Sequence, residues 1–105
     1  MDQEIYNLEI EIVKVLKNIY DPEIPVDIFN LGLIYEINVD DNQNVNIRMT
    51  LTAPNCPMAD ELLDEVIEKV KGITGVKEVK LDLVFDPPWG KEMMSETALL
   101  ELGML

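Results

Sequence analysis

From residue 3 to residue 19, Ile5, Leu8, Ile12, Val15, Leu16 and Ile19 recur three and four apart, while Glu4, Glu9, Glu11, Lys14 and Lys17 fall mostly elsewhere. That spacing predicts an amphipathic helix with Asp2 as its N-cap. Pro22 ends it, because the residue before a proline is steered out of the helical region. Asn30-Leu31-Gly32 reads as a short turn. The period then drops to two: Leu33, Tyr35, Ile37 and Val39 alternate with Ile34, Glu36, Asn38 and Asp40, and Val45, Ile47, Met49 and Leu51 alternate with Asn46, Arg48, Thr50 and Thr52. Strands at 33–40 and 44–52 are expected to pair as a hairpin across Asp41-Asn42-Gln43. Helical spacing returns in Ala59, Leu62, Leu63, Val66, Ile67 and Val70, with Pro57 suited to the first helical position and Gly72 and Gly75 marking the exit near Val70. Val79, Leu81, Leu83 and Phe85 alternate with Lys80, Asp82 and Val84, predicting a third strand at 76–85. The connection between the second and third strands is long enough for a right-handed crossover, which makes them parallel. Asp86-Pro87-Pro88-Trp89-Gly90 stops the strand, and either proline bond is open to the cis form. A last amphipathic piece runs from Met93 to Leu102, with Ser95 as cap and Gly103 as its end. The expectation is a single domain over 1–105 of the α/β (α+β) class. Its architecture is a two-layer, three-stranded mixed sheet with helices, in the order α-β-β-α-β-α.

Composition narrows the functional classes. The net charge of −13 argues against nucleic acid, whose phosphates it repels, and equally against anionic membrane surfaces. Basic protein partners or metal cations suit such a surface, and so does a plain solvated acidic shell. No apolar run approaches the ~20 residues of a membrane span, and the acidic start lacks the basic-then-apolar order of a signal peptide. The cytoplasm is the expected location. One cysteine excludes an internal disulfide, and one cysteine with no histidine cannot build a tetrahedral zinc site or hold a whole iron–sulfur cluster within one chain. Any cluster must draw ligands from a second protomer, a partner protein or a small thiol. Lack of histidine also removes the usual general base, so an enzyme is not expected.

Candidate chemistry sits in two stretches. Cys56 lies between Pro54 and Pro57 where the strand pattern gives way to the helical one, which puts its sulfur near unpaired amides and the positive end of the helix dipole. Asp60 and Glu61 oppose that effect. A small inert capping residue and a reactive thiol or metal ligand are both consistent with the position. In Asp21-Pro22-Glu23-Ile24-Pro25, two prolines three apart stiffen a loop bearing two acids. Asp21 capping a turn with Glu23 solvated is one reading; a cation site or an acid–base pair is the other. Trp89, Met58, Met93, Met94 and Met104 are adaptable apolar groups, mostly core fillers, with Trp89 the candidate for partner docking.

Asp21-Pro22-Glu23-Ile24-Pro25-Val26 with Leu31-Gly32-Leu33-Ile34-Tyr35, then Thr50-Leu51-Thr52-Ala53-Pro54-Asn55-Cys56-Pro57, then Asp86-Pro87-Pro88-Trp89 resemble the SufT-like family of small metal–sulfur cluster biosynthesis proteins. That family also includes PaaD and the eukaryotic cytosolic iron–sulfur targeting factor. Three separated motifs in order cover nearly the whole chain. Met93-Met94-Ser95-Glu96 and Leu100-Glu101-Leu102-Gly103-Met104-Leu105 are similar to the SufT-type branch, and the cysteine-rich C-terminal part of the PaaD branch is not expected. The resemblance implies an accessory role in iron–sulfur cluster assembly or delivery, with the assembly machinery and client apo-proteins as partners. It further implies a pocket where Asp21 and Glu23 meet Thr52 and Cys56. In it, Cys56 would contact iron, a cluster or a partner's sulfur transiently, and the Thr52 hydroxyl would donate to that sulfur. A homodimer would bring two Cys56 thiolates together. The alternatives are an interaction module with an inert cysteine and, less favoured for want of histidine, a cysteine-dependent enzyme.

Overall fold

The computed structural model describes residues 2–52 and 59–104, with side chains from Tyr6 onward. Its elements are α1 (Asp2–Leu16), α2 (Ile28–Leu31), β1 (Ile34–Val39), β2 (Asn44–Met49), α3 (Ala59–Lys71), β3 (Glu78–Leu83), a 3-10 turn at Lys91–Met93 and α4 (Glu96–Glu101). The sheet order is β1-β2-β3, with β1 antiparallel and β3 parallel to β2. The mixed three-stranded sheet and helical layer agree with the expected α/β (α+β) class, and the short α2 at Ile28–Leu31 is an added element. The Asp86–Pro87 bond is cis.

Boundaries move for local reasons. The first helix stops at Leu16 rather than Ile19, because Asn18 and Ile19 donate to carbonyls three residues back. The Ile19 carbonyl instead accepts from Ile28 at 2.8 Å, and Tyr20 bridges Asp27. The second strand stops at Met49, since the Thr50 amide turns to the Leu33 carbonyl at 2.9 Å.

Strand β1 departs from simple alternation. Ile34 lies opposite Met49, yet Glu36 lies opposite Arg48 and Ile37 opposite Ile47, so Tyr35 is the extra residue of a bulge. Ile34, Ile37 and Val39 therefore share the face of Met49, Ile47 and Val45, against which the helices pack. Tyr35 leaves that face, and its hydroxyl donates to the Pro87 carbonyl at 2.7 Å. The opposite face carries Glu36, Arg48 and Asp82 in one row and Asn38, Asn46 and Lys80 in the next. It stays polar and uncovered over most of its length.

The core joins Ile12, Leu16 and Ile19 to Ile28, Leu31, Leu33, Ile47, Val66 and Val70, all fully buried. Each such side chain contributes about 1.5–3 kcal/mol by leaving water. The ion pairs among the described residues, such as Lys14–Glu11 and Lys69–Glu65, are well exposed, and pairs of that kind contribute at most about 1 kcal/mol. Apolar burial, not charge pairing, holds this acidic chain together.

Candidate functional site

The sheet has two unlike ends. At one, the hairpin turn joins β1 to β2. At the other, β1 begins, β2 and β3 finish, and α3 starts shortly afterwards, so most of the connecting segments converge there. Of the residues nominated from sequence, Asp21, Glu23, Thr52 and Trp89 belong to this second end.

Asp21 is buried, and its Oδ2 accepts the amides of Glu23 and Ile24, both at 2.9 Å. The loop closes further through Asp21 N–H to the Val26 carbonyl at 3.2 Å and Val26 N–H to the Ile24 carbonyl at 2.7 Å. Pro22 and Pro25 lack amides, so the carboxylate serves the two free donors between them. Asp21 thus performs the turn-capping role. Glu23, by contrast, projects to solvent.

The same loop lies against the first turns of α3. Tyr20 and Pro22 face Glu61, Leu62 and Glu65 across a cleft of about 160 Å³, and Tyr20 is 55% exposed. The wall is therefore one aromatic, one proline, one leucine and two carboxylates. Cys56 lies outside the described residues, three positions before Ala59 in the sequence. Thr52 is half-buried just beyond the end of β2. Thr50 is wholly buried, and its hydroxyl has no hydrogen-bond partner among the described residues. Alternation alone gives Thr50 and Thr52 equal standing; burial separates them. An unsatisfied hydroxyl inside protein typically costs about 1–3 kcal/mol.

A strap from the C-terminal part of the chain braces this end. Trp89 donates its indole N–H to the Leu31 carbonyl at 2.7 Å and packs half-buried against the core, so the nominated docking residue also serves as an internal pin. The Asp27 carboxylate accepts the Asn30 amide and the Asn30 side-chain NH₂, each at 2.9 Å, capping α2. Asn30 in turn accepts from the Ser95 hydroxyl at 2.7 Å, and the Ser95 oxygen accepts from Ala98 at 3.1 Å to cap α4. One polar chain therefore joins the caps of two helices whose residues lie 65 positions apart in sequence. Gly32 sits where this strap crosses. Its φ is +89°, and a Cβ there would overlap the Met93 backbone.

A larger hollow of about 580 Å³ lies on the polar face of the sheet, between Tyr35, Glu36, Arg48, Asp86, Pro87 and Met93. Asp21, Glu23, Thr52 and Trp89 do not line it. Among the described residues no three His, Cys, Asp or Glu side chains converge on a point that could hold a metal ion. No described helix is long and apolar enough to cross a membrane.

Comparison with known proteins gives a consistent result. A family model described as "Iron-sulfur cluster assembly protein" matches residues 9–81. The chain is 52% identical over 105 residues to an Fe-S protein maturation auxiliary factor of Porphyromonas gingivalis, covering 100% of both. It is 41% identical over 86 residues to the Fe-S protein maturation auxiliary factor SufT of Staphylococcus aureus, covering 82% of this chain and 98% of that one. Its fold matches the crystal structure of a domain of unknown function DUF59 from Bacillus anthracis, with a TM-score of 0.88, 38% identity and 95% of each chain covered.

Proposed function

The chain belongs to the iron–sulfur cluster assembly protein family, and we propose that it is a non-enzymatic accessory factor that helps deliver clusters to client proteins through Cys56. Family membership carries the role. The observation supporting the site is that the stiff Asp21 loop is held against the first turns of α3, the helix that the Cys56 segment leads into. In this reading a cluster or iron is cargo, held transiently. The chain offers one thiol and no histidine, so the remaining ligands come from a client, an assembly protein, a small thiol or a second protomer. Asp21 shapes the wall through its turn. Thr50 or Thr52 supplies a hydroxyl donor near the end of β2. The acidic rim of Glu61 and Glu65 favours a basic face on whatever docks there. The protein acts in the cytoplasm.

The test is client-enzyme activity in cells whose sole copy carries Cys56→Ser. Activity is expected to fall while the purified variant keeps its unfolding midpoint. Unchanged client activity would remove Cys56 from the mechanism. Anaerobic reconstitution with ferrous iron and sulfide then separates a carrier from an adaptor. A carrier shows thiol-dependent charge-transfer absorbance in wild type and none in Cys56→Ser, whereas an adaptor shows none in either.

A further inference from the structure

The outer edge of β3 has no partner strand among the described residues. Such edges attract other strands unless something guards them, and Lys80 at the middle of β3 is the usual kind of guard. Two residues on stands Asp82, which changes what the guard does toward a second copy of the same strand.

Val84 donates to Met49 at 2.9 Å, and β3 pairs in parallel register with β2. In a parallel ladder the backbone groups of alternate residues point the same way. Glu78, Lys80 and Asp82, like Val84, therefore direct theirs toward β2, leaving those of Val79, Leu81 and Leu83 directed outward. A second β3 can add only by matching these outward groups. In antiparallel pairing about a two-fold axis, centring on Val79 sets Lys80 opposite Glu78 twice but pairs only Glu78 to Lys80 of the strand, and three further registers are near enough to consider. Centring on Lys80 sets Lys80 opposite Lys80 and Glu78 opposite Asp82, all like charges. Centring on Asp82 sets Asp82 opposite itself. Centring on Leu81 sets Lys80 of each strand opposite Asp82 of the other, twice.

The same register suits the other face of the strand. There Leu81 meets Leu81 on the axis, and Val79 meets Leu83 on either side. Leu83 is 36% exposed and Phe85, just beyond the strand, is 44% exposed, on an edge that would be covered. Ile67 adds to this surface. It is half-buried on the flank of α3 turned away from Glu61 and Glu65, the flank on which Lys71 reaches Glu78 of β3 at 3.6 Å.

We propose that β3 is a self-association edge, pairing antiparallel with β3 of a second copy in the register centred on Leu81, to make one six-stranded sheet. Antiparallel addition turns the second sheet end for end. The two Asp21 loops and the two α3 N-termini then lie at opposite ends of the assembly, so this dimer presents two independent sites rather than a shared one. The inference does not depend on the iron–sulfur role proposed above.

The experiment is sedimentation equilibrium of the full chain over about 1 µM to 1 mM, the range in which a weak interface shows itself. It is run at about physiological salt or above, where the repulsion between two acidic chains is screened beyond ~8 Å. Wild type is expected to show a monomer–dimer equilibrium. Lys80→Asp and Asp82→Lys each set like charges opposite one another twice, and each should raise the dissociation constant at least about tenfold. One makes the chain more acidic and the other less, so a general charge effect would move them in opposite directions. The exchanged pair Lys80→Asp with Asp82→Lys should restore association. Leu81→Cys in a Cys56→Ser background should oxidise to a cross-linked dimer, since directly opposed hydrogen-bonded residues stand about 5.5 Å apart at Cα, within the span of a disulfide. A monomer at every concentration overturns the proposal. So does a dimer indifferent to both charge reversals, or one in which Leu81→Cys fails to cross-link.

Discussion

Two aspartates, one at each end of the sheet, do the same local chemistry. Asp21 Oδ2 accepts the amides of Glu23 and Ile24, and Asp40 Oδ1 accepts those of Asn42 and Asn44, all at 2.9 Å. The surroundings differ. Asp40 is exposed in a hairpin turn among polar neighbours, with Gln43 at a φ of +65°. Asp21 is buried in a loop with two prolines that faces α3, and it shares its end of the sheet with the C-terminal strap and the Thr50 hydroxyl, which has no partner among the described residues. An acid in a turn is thus no sign of function by itself. What marks the Asp21 end is that several connections converge there and bury its carboxylate. An unpaired buried atom does not mark it, since Asn46 Oδ1, nearer the hairpin, also lacks a partner among the described residues.

The contrast can be broken most severely at Gly32. Gly32→Ala places a Cβ on the Met93 backbone at a positive φ, and about 3 kcal/mol of stability should be lost. Chemical unfolding measures the loss. Emission from Trp89, the single tryptophan, should shift to the red as the strap lifts. Little change in either would mean that the strap does not brace this end.

Asp21 comes next. Asp21→Ala strands two amides beside a buried space and should cost about 2–3 kcal/mol in urea unfolding, whereas Asp21→Asn keeps an oxygen acceptor and should recover most of that. If Asp21→Asn folds normally yet lowers client maturation, the carboxylate charge contributes beyond the turn. Equal maturation by both folded proteins would confine Asp21 to its structural part.

The smallest effect is expected at the hairpin. The Asn44 amide, followed by the Asn44 side chain and the Asn42 amide, holds the Asp40 carboxyl below its ordinary value of 3.8. A depressed folded-state value means the stabilisation is fully present above the unfolded value and disappears as pH falls through the folded one. The urea midpoints of wild type and Asp40→Asn should therefore differ slightly near neutrality and converge below pH 3.8. A gap that persists or widens in acid would reverse the assignment.

Much of the architecture was legible along the chain. Period-two and helical spacing located three strands and the main helices, the crossover length made β3 parallel to β2, and Ser95 was readable as a cap. These are local properties, because backbone geometry repeats within a few residues whatever lies across from it. The family, too, was written in three short motifs. The bulge at Tyr35 was not, since Leu33, Tyr35 and Ile37 alternate cleanly until the pairing with β2 decides which of them faces the core. Nor was the difference between Thr50 and Thr52, which share a side of the chain and differ only in what covers them. Asn30 and Ser95 are ordinary turn and cap residues until the fold sets them 2.7 Å apart. Spacing along the chain determined the elements and the sheet's direction. Only tertiary contact decided which carboxylate is buried and, among the described residues, which hydroxyl lacks a partner and which strand edge has no neighbour, because burial and pairing depend on groups that are distant in sequence and near in space.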